Sequence, residues 1–282
     1  MIKKLKVHTL QKVIKKYKLG GHTVGFVPTM GALHDGHISL IEKSIKKCDK
    51  TVCSIFVNPT QFNDKSDLKK YPRTIAADSK LLKEANCDLL FLPTVEQIYP
   101  SGTKKKVKLD LNGLDLQMEG AHRPGHFDGV VQVVHRLLDI VKPDKLFMGQ
   151  KDFQQFTIIQ HMIDVLSMPV ELVVCPTKRE ANGLARSSRN ERLLPEHRKK
   201  ASIIYKTLKH IKKNIDQATA SQLSKEAMKN MSIPDFNPEY VNIVDGRTLK
   251  PVRSTKNKDY LVACTAVWAG EVRLIDNIII RK

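Results

Sequence analysis

Short apolar segments alternate with amphipathic ones over the first two thirds of this 282-residue chain. Apolar runs with the length of β-strands lie at His22–Val27, Thr51–Val57, Asp88–Leu92, Lys145–Met148 and Val170–Val174. Segments with apolar residues at helical spacing lie between them, at Gly36–Cys48, Thr74–Asn86, Gly129–Val141 and Asp152–Leu166. Short strands separated by helices of about a dozen residues are typical of a parallel sheet with helices on both faces. We therefore predict an α/β fold built on a doubly wound parallel sheet.

The pattern changes after about Thr177. Two lysine-rich amphipathic helices are predicted at Glu196–Lys213 and Ser221–Met231, followed by a loop at Ser232–Pro238. Strand-like segments follow at Tyr240–Val244, Tyr260–Val267 and Val272–Ile280. A chain of this length commonly forms one large and one small domain. We predict that residues 1–176 form the sheet domain and residues 177–282 a smaller α+β domain.

The chain is strongly basic, with 48 Lys and Arg against 29 Asp and Glu and a formal net charge of +19. Such a charge can indicate a nucleic-acid partner. The lysines, however, are spread along the chain, and only 6% of the residues are aromatic, which leaves few rings for stacking on bases. We interpret the charge as a solvated, lysine-rich surface that also favours a nucleoside triphosphate, and we expect no nucleic-acid partner.

Cysteine usage and hydropathy indicate a cytoplasmic protein. The five cysteines form no CxxC pair, and most lie in or beside apolar runs, so neither a disulfide framework nor a zinc site is expected. No apolar run approaches the ~20 residues of a membrane span, and the first residues lack the apolar core of a signal peptide. We expect a reducing compartment and no membrane partner.

The string VPTMGALHDGH occupies positions 27–37, where a predicted strand ends and a helix begins. Ligands of doubly wound sheets bind beyond the carboxyl ends of the strands. His34 and His37 fall at the helix N-terminus, where free backbone N–H groups and the helix dipole favour an anion, and imidazole donors can hold phosphate oxygens. Two surface histidines near a turn are the structural alternative. A zinc pair fits less well, since the i, i+4 spacing and a nearby third ligand are missing.

Two amides follow the strand that ends at Val57. Asn58 and Gln61 could fix a small polar substrate through its hydroxyls and carboxylate. For Asn58, a cap on the turn before Pro59 is an alternative that needs no substrate.

A third strand end carries Gly149, Lys151, Asp152 and Gln155. Gly149 permits close approach of a ligand to the backbone, and Lys151 can neutralise a phosphate as a mobile point charge. Asp152 is placed to accept from a ribose hydroxyl, and Gln155 lies one helical turn further on. The alternative is an ordinary Asp N-cap beside a solvated lysine.

Two loops are rich in arginine. In residues 179–190, Ser187 and Ser188 are flanked by arginines, which suits a loop that closes over phosphates at the predicted domain junction. The loop Arg123–Gly129 precedes a long apolar helix. Arg123 could serve a phosphate or a subunit contact, or the loop could be purely structural.

Taken together, these strings resemble the pantoate–β-alanine ligase family, within the HxGH nucleotidylyltransferase superfamily. The resemblance covers about Val24 to Leu193 and returns at Arg273–Asn277. It is carried by VPTMGALHDGH (27–37), FVNPTQF (56–62), YPRT (71–74), RPGHFDGVV (123–131), GQKDFQQ (149–155), GLARSSRN (183–190) and RLIDN (273–277). The HxGH string alone is shared with many nucleotidylyltransferases, whereas the other strings in this order are specific.

The resemblance implies a Rossmann-like N-terminal domain, a smaller C-terminal lid, a homodimer, and ATP-dependent condensation of D-pantoate with β-alanine. It implies ATP contacts for Met30, His34, His37, Gly149, Lys151, Asp152, Lys178, Arg186, Ser187, Ser188 and Arg189. Among these, His34, His37, Lys151, Ser187 and Arg189 are expected to be catalytic. Gln61 and Gln155, with Asn58, are expected to hold pantoate and β-alanine, and Asp78 lies at the family's acidic position near Mg²⁺.

Three positions depart from the commonest pattern of the family: Asn182 replaces Asp before Gly183, Lys178 stands where Val is usual, and Glu119 stands where some members have Cys.

Two other functions remain open from the residues. One is a nucleotidylyltransferase with a different acceptor, such as nicotinate mononucleotide or phosphopantetheine, which would leave Gln61 and Gln155 unexplained. The other is a basic RNA-binding protein, whose affinity would depend steeply on salt.

Overall fold

The computed structural model describes residues 1–62, 68–69, 71–100, 107–255 and 258–282. They form two compact units. The first comprises Met1–Asn112, Arg123–Gly149 and Ile158–Pro176, and the second comprises Gly113–His122, Gln150–Thr157 and Thr177–Lys282. Two short segments within residues 1–176 therefore belong to the second unit. The predicted boundary between two functional domains, at residues 176 and 177, stays a prediction.

The first unit is built on a six-stranded sheet. Its strands are β1 Ile2–Lys4, β2 Val24–Thr29, β3 Lys50–Ile55, β4 Leu89–Phe91, β5 Lys145–Gly149 and β6 Glu171–Cys175. They lie in the order β1-β4-β3-β2-β5-β6, and every pair is parallel. The chain moves outward from β2 on one side and from β5 on the other, so the direction of winding reverses between these two strands. The predicted doubly wound, Rossmann-like sheet is confirmed.

The helices of the described residues are α1 Val7–Leu19, α2 Asp35–Lys47, α3 Ile75–Glu84, α4 Val95–Ile98, α5 Met118–His122, α6 His126–Val141, α7 Phe153–Val165, α8 Pro195–Lys200, α9 Ser202–Asn214 and α10 Ala220–Met231. In the first unit, Ile41 of α2 and Leu82 of α3 pack with Val27, Cys53 and Phe147 of the sheet, and all five side chains are fully buried. This core fixes α2 and α3 against the sheet that supports the site.

The second unit contains a three-stranded antiparallel sheet, β7 Phe236–Asp245, β8 Leu261–Ala269 and β9 Val272–Arg281, in that order. Leu208 and Ile211 of α9 and Leu223 of α10 share one buried cluster with Val267 of β8 and Leu274 of β9. Lysine-rich helices therefore bury one apolar stripe each against the sheet. The predicted α+β character of the C-terminal part is confirmed.

Two elements were not predicted from the sequence, and two predicted segments differ from the structure. The chain already forms β1 and α1 before His22, and β1 is an edge strand of three residues with too short an apolar run to be recognised. The single helix predicted at Glu196–Lys213 is wrong, because the chain tightens at Ala201, whose carbonyl accepts from the Ile204 N–H three residues on.

The loop predicted at Ser232–Pro238 is wrong in its second half, since β7 begins at Phe236. Pro238 is tolerated there because β7 is an edge strand with a register shift between Pro238 and Tyr240.

The five cysteines are buried free thiols. Burial raises the pKa of the Cys87 thiol to about 11, which disfavours its nucleophilic thiolate form. Within the described ranges, no helix has both the length and the apolar character required to cross a membrane.

Candidate active site

The turn between β2 and α2 has an unusual backbone. Gly31 and Ala32 both adopt left-handed conformations, with φ of +88° and +50°. A Cβ atom on Gly31 would also lie 3.0 Å from Cγ2 of Ile55 and 3.1 Å from Oδ2 of Asp78. Glycine is therefore required at position 31 by both conformation and space. The consecutive backbone N–H groups of Ala32 and Leu33 point from this turn toward Asp78.

Asp78 on α3 receives both of these N–H groups. Ala32 donates to Oδ2 at 3.0 Å, Leu33 donates to Oδ1 at 2.8 Å, and the Thr74 hydroxyl donates to Oδ1 at 3.1 Å. The residue is only 2% exposed. A carboxylate that accepts several hydrogen bonds in this way is fixed in place. Asp78 therefore anchors the turn that leads to His34.

This geometry does not fit the magnesium role expected for Asp78. Its two oxygens already face protein donors in a buried position. The described residues also contain no group of three or more His, Cys, Asp or Glu side chains that could hold a metal ion. Magnesium in nucleotide sites usually keeps several waters and binds one or two accessible carboxylates. We assign no step of the reaction to a metal ion at Asp78.

His34 and His37 lie at the N-terminus of α2, where the sequence places them. His34 is the N-cap residue, and its Nδ1 accepts from the Gly36 N–H at 3.1 Å. Nδ1 of His37 accepts from the His34 N–H at 3.3 Å. The ring centroids are 4.1 Å apart. Because Nδ1 accepts in both rings, the neutral imidazoles carry their protons on Nε2. Two N–H donors are thereby set at the positive end of a helix dipole, an arrangement suited to phosphate oxygens.

The amides after β3 form a linked pair. Asn58, which is 1% exposed, donates from Nδ2 to Oε1 of Gln61 at 3.2 Å and to the Gly129 carbonyl at 3.1 Å. Its Oδ1 accepts from the Thr60 and Tyr99 hydroxyls at 3.1 and 2.9 Å. The hydrogen-bonding capacity of Asn58 is therefore used within the protein. Its geometry favours the structural alternative, in which it caps the turn. The hydrogen bond to Gln61 adds a second structural role, since it fixes the Gln61 amide.

Gln61 lies close to Met30, another residue of the predicted site. Its Nε2 is 3.2 Å from the Met30 sulfur, which is a weak acceptor that a better ligand oxygen can replace. The structure thus brings together Met30 from the turn after β2 and Gln61 from the short helix Pro59–Gln61 after β3. A polar ligand group beside Gln61 would meet an amide whose oxygen is already fixed by Asn58.

Residues 123–129, with the sequence RPGHFDG, contact the backbone of Gln61. Nδ1 of His126 is 2.7 Å from the Gln61 carbonyl oxygen, and Nη1 of Arg123 is 3.2 Å from Nε2 of the same ring. A Cβ atom on Gly129 would lie 2.4 Å from the Thr60 carbonyl oxygen, so only glycine lets α6 approach this closely. Neither His126 nor Gly129 was expected from the sequence to have a role of its own. A glycine inside a strongly apolar helix was the available signal.

In the second unit, the turn Gln150–Asp152 leads into α7. Nζ of Lys151 donates to Oδ1 of Asp152 at 3.4 Å, and the Lys151 side chain is 16% exposed. Gln155, in the first turn of α7, is partly buried. Its neighbour Gln154 is 4% exposed and donates to the carbonyls of Leu114 and Gln117 at 2.7 and 2.9 Å. Gln154 therefore fixes the start of α7, and with it the position of Gln155.

The segment 178–186 is a tight hairpin rather than an open loop. The Arg186 N–H donates to the Lys178 carbonyl at 2.9 Å, and the Glu180 N–H to the Leu184 carbonyl at 2.8 Å. The Glu180 carboxylate accepts two hydrogen bonds from Arg198, each of 2.9 Å. These hydrogen bonds hold the pKa of Glu180 below its ordinary value.

Ser187 and Ser188, the two serines of the predicted site, follow directly after the hairpin. Ser187 is the N-cap of a short helix at Ser188–Arg192, and its Oγ accepts from the Arg189 N–H at 3.3 Å. At the start of the hairpin, Arg179 pairs through both Nη atoms with Asp276 at 2.6 and 2.9 Å. Ser187 and Arg189 are thus held within one helical turn of each other.

Two of the departures from the family pattern have defined contacts. Asn182 donates from Nδ2 to the Arg198 carbonyl at 2.9 Å, which an Asp at this position could not do. Glu119 accepts from both Nη atoms of Arg273, at 2.7 and 2.9 Å, and from the Tyr240 hydroxyl at 2.9 Å. Lys178 is exposed. None of these contacts involves a histidine or serine of the predicted phosphate set.

The family model described as pantoate-beta-alanine ligase matches residues 3–279. A pantothenate synthetase of Azobacteroides pseudotrichonymphae is 48% identical over 271 residues, which cover 95% of this chain and 96% of the relative. A pantothenate synthetase of Porphyromonas gingivalis is 45% identical over 273 residues, with 96% of each chain covered.

Solved structures agree with the sequence matches. The pantothenate synthetase of Thermus thermophilus superposes with a TM-score of 0.92 at 38% identity, with both chains fully covered. A pantoate-β-alanine ligase of Francisella tularensis, described as a complex with beta-gamma ATP and β-alanine, gives a TM-score of 0.81 at 34% identity over 99% of this chain and 98% of its own. On its sequence, its fold and these matches, the chain belongs to the pantoate–β-alanine ligase family.

Proposed function

We propose that this protein joins D-pantoate to β-alanine at the expense of ATP, through a pantoyl-adenylate intermediate, and releases AMP and pyrophosphate. The observation that carries the proposal is the family match over residues 3–279. The two Nε2–H donors at the N-terminus of α2 support it, since they suit the phosphate chemistry of an adenylation. The nucleotidylyltransferase alternatives lack a reason for the linked Met30–Gln61–Asn58 cluster.

The reaction has two steps because a carboxylate is a poor electrophile for an amine. In the first step, an oxygen of the pantoate carboxylate attacks the α-phosphorus of ATP, and the bond to the pyrophosphate oxygen breaks. In the second step, the β-alanine amine attacks the acyl carbon of the adenylate, loses a proton and expels AMP. Neither step needs a nucleophilic side chain.

The proposed contribution of the protein is preorganised charge and position. His34 and His37 donate from Nε2 to phosphate oxygens as negative charge builds on them. Lys151, Ser187 and Arg189 are also proposed to act on phosphate oxygens, with Lys178, Arg186 and Ser188 in the same hairpin and short helix as the serine and arginine. Met30, Gly149 and Asp152 contact the rest of the nucleotide, Asp152 through the ribose.

Gln61 and Gln155 are proposed to hold pantoate. Asn58 acts through Gln61, because its own amide is already bonded within the protein. Closure of segment 178–190 would exclude water, which would otherwise hydrolyse the adenylate.

The proposal extends to the metal ion, the oligomeric state, the compartment and the roles of the two domains. ATP brings its magnesium ion as substrate complex, without Asp78 as a ligand. The protein acts as a homodimer in the cytoplasm. Residues 1–176 and 177–282 serve as the nucleotide-binding part and the lid.

Pyrophosphate release tests the reaction. With ATP, Mg²⁺ and D-pantoate present, release should require pantoate, and AMP and pantothenate should appear only once β-alanine is added. Release that needs another acceptor in place of pantoate would contradict the proposal and favour a different HxGH enzyme.

The histidine roles need a separate measurement. His34→Ala and His37→Ala should slow pyrophosphate release by about 100-fold or more, as loss of a preorganised transition-state donor does. Transfer from chemically supplied pantoyl adenylate to β-alanine should change much less. Normal adenylate formation in both variants would rule out the assigned role.

A further inference from the structure

The string Arg273–Asn277 on β9 has no part in the reaction described above. Two of its residues, Asp276 and Asn277, are polar yet only 4% and 2% exposed. The buried positions Val272 and Leu274 alternate along β9 and are continued by Asp276. An apolar residue would be expected there, because burying a carboxylate is costly unless it is paired. Contacts made by this pair must therefore account for its presence.

All of the hydrogen-bonding groups of the Asn277 side chain meet one two-residue turn. Nδ2 donates to the carbonyl oxygens of Gln150 at 2.9 Å and Lys151 at 2.8 Å. Oδ1 accepts from Nε2 of Gln150 at 3.3 Å. Both amide protons and the oxygen are used, so the amide determines the path of the backbone at Lys151. The point from which the lysine side chain starts is thereby fixed.

Asp276 holds a second segment. Its carboxylate pairs with both Nη atoms of Arg179, and Nη1 of Arg179 also donates to the Gly183 carbonyl at 3.1 Å. The Arg179 guanidinium lies 3.6 Å from the centre of the Tyr205 ring. A planar guanidinium bound on its edges and stacked on one face has a single orientation. The hairpin that leads to Ser187 is therefore anchored on the residue next to Asn277.

We infer that Asn277 is a positioning residue for adenylate formation, which acts by setting the turn that carries Lys151. Its neighbour Asp276 is the matching anchor for the hairpin. The inference rests on the proposed contact of Lys151 with the phosphates of ATP. Displacement of a catalytic group by about 1 Å can cost two orders of magnitude in rate, so a residue that touches no substrate can still govern the first step.

The first test is Asn277→Asp. The substitution keeps the shape of the side chain but replaces the donating amide by an oxygen that faces two carbonyls. We expect the rate constant for pantoate-dependent pyrophosphate release to fall about 10- to 100-fold. Asn277→Ala, which removes the donor without adding a charge beside the carbonyls, gives a second measure if the Asp variant folds poorly, and it should show a fall of the same order.

Thr265→Val is the matched control. Thr265 is fully buried on β8, pairs with Asp276 in the sheet, and donates from Oγ1 to the Tyr240 carbonyl at 2.7 Å. The nearly isosteric change therefore removes one buried hydrogen bond of the same sheet without touching the turn. It should lower the melting temperature while leaving kcat for pyrophosphate release close to that of the unmodified protein. If both Asn277 variants lose no more activity than Thr265→Val at a similar loss of melting temperature, the inference is overturned.

A double-mutant cycle separates this inference from the role proposed for Lys151. Lys151→Ala alone should strongly slow pyrophosphate release, and Asn277→Asp should add little in that background, since the side chain it positions is gone. Fully additive effects would overturn the positioning role while leaving the role of Lys151 intact. Normal activity of Lys151→Ala would overturn the role of Lys151 and the inference together.

Discussion

Two segments that lead into proposed phosphate-binding residues are fixed in different ways. The turn at residues 30–34 is held by backbone N–H groups that converge on the single buried carboxylate of Asp78. The hairpin at residues 178–186 is held by side-chain pairs, Arg179 with Asp276 and Arg198 with Glu180. Both arrangements place a carboxylate against hydrogen-bond donors. Only the second depends on charged side chains as both partners of each pair.

The difference has consequences for how each segment responds to change. Backbone donors cannot be replaced or rotated away, so the turn has one geometry as long as Asp78 is present. Guanidinium–carboxylate pairs can be weakened by protonation of the acid or by replacement of the planar fork. We therefore expect loss of Asp78 to disrupt the whole turn at once. Loss of one side-chain pair should destabilise the hairpin only in part, because the other pair remains.

The largest effect is expected for Asp78→Ala. It would leave two buried N–H groups without their acceptor, each worth about 1.5–3 kcal/mol when the partner is charged. The free energy of unfolding, measured by urea denaturation, should fall by roughly 3–5 kcal/mol. Pyrophosphate release should fall by about 100-fold or more, because His34 follows the turn directly.

Asp78→Asn refines this test and keeps the size of the side chain. One oxygen becomes an NH₂ group that faces an N–H donor, so a large part of both losses should remain. The defect should not change when Mg²⁺ is raised. Recovery at high Mg²⁺ would identify Asp78 as a metal ligand and contradict the anchoring role.

A smaller effect is expected for Arg179→Lys. A lysine cannot bind Asp276 through two parallel hydrogen bonds or stack in the same way on Tyr205. We expect a loss of about 1–3 kcal/mol in the free energy of unfolding and a moderate fall in kcat with ATP. Arg281→Lys is the control, since its partner Asp216 is 74% exposed and such surface pairs contribute about 1 kcal/mol or less. Equal losses in the two variants would show that the Arg179–Asp276 pair stabilises the protein no more than a surface pair does, which would contradict its role as an anchor of the hairpin.

The smallest effect concerns Glu180 and pH. The Arg198 hydrogen bonds lower the pKa of Glu180 in the folded protein. Its stabilising contribution is therefore complete above the unfolded-state pKa of about 4.3 and is lost as the pH falls through the lower folded-state value. Glu180→Gln should reduce the free energy of unfolding by about 1 kcal/mol at pH 7.

The same comparison at acid pH gives the sign of the effect. The difference between the two proteins should shrink progressively below about pH 4. A difference that stays constant or grows in acid would show that the pairing of Glu180 does not stabilise the hairpin.

The parts of the fold that were predicted correctly depend on local patterns. The strands that surround the site are short apolar runs, and α2, α6 and α7 carry apolar residues at helical spacing. The placement of His34 and His37 followed from the same information, since a strand end and a helix start within ten residues define the position of a turn.

The supports of the site could not be predicted because they join residues that are far apart in sequence. Asp78 meets its donors across 45 and 46 residues. Composition and periodicity carry no information on which carboxylate faces which N–H group. For Asp78 the resemblance suggested a metal ligand, whereas the structure gives it backbone partners. The single helix predicted at residues 196–213 was wrong for a related reason, because no proline or glycine marks the break at Ala201.

The contacts of Asn277 also affect when the protein becomes active during its synthesis. Nδ2 of Asn277 joins carbonyls that precede it by 126 and 127 residues. Contacts between residues so far apart in sequence are slow to form, because the entropy cost of closing a long loop must be met before the contacts can stabilise the chain. The strands of the first sheet can pair while the turn at Lys151 still lacks its partner. During synthesis, the turn at Lys151 can therefore gain this partner only after β9 has been made, and we expect activity to appear later than the secondary structure of the first unit.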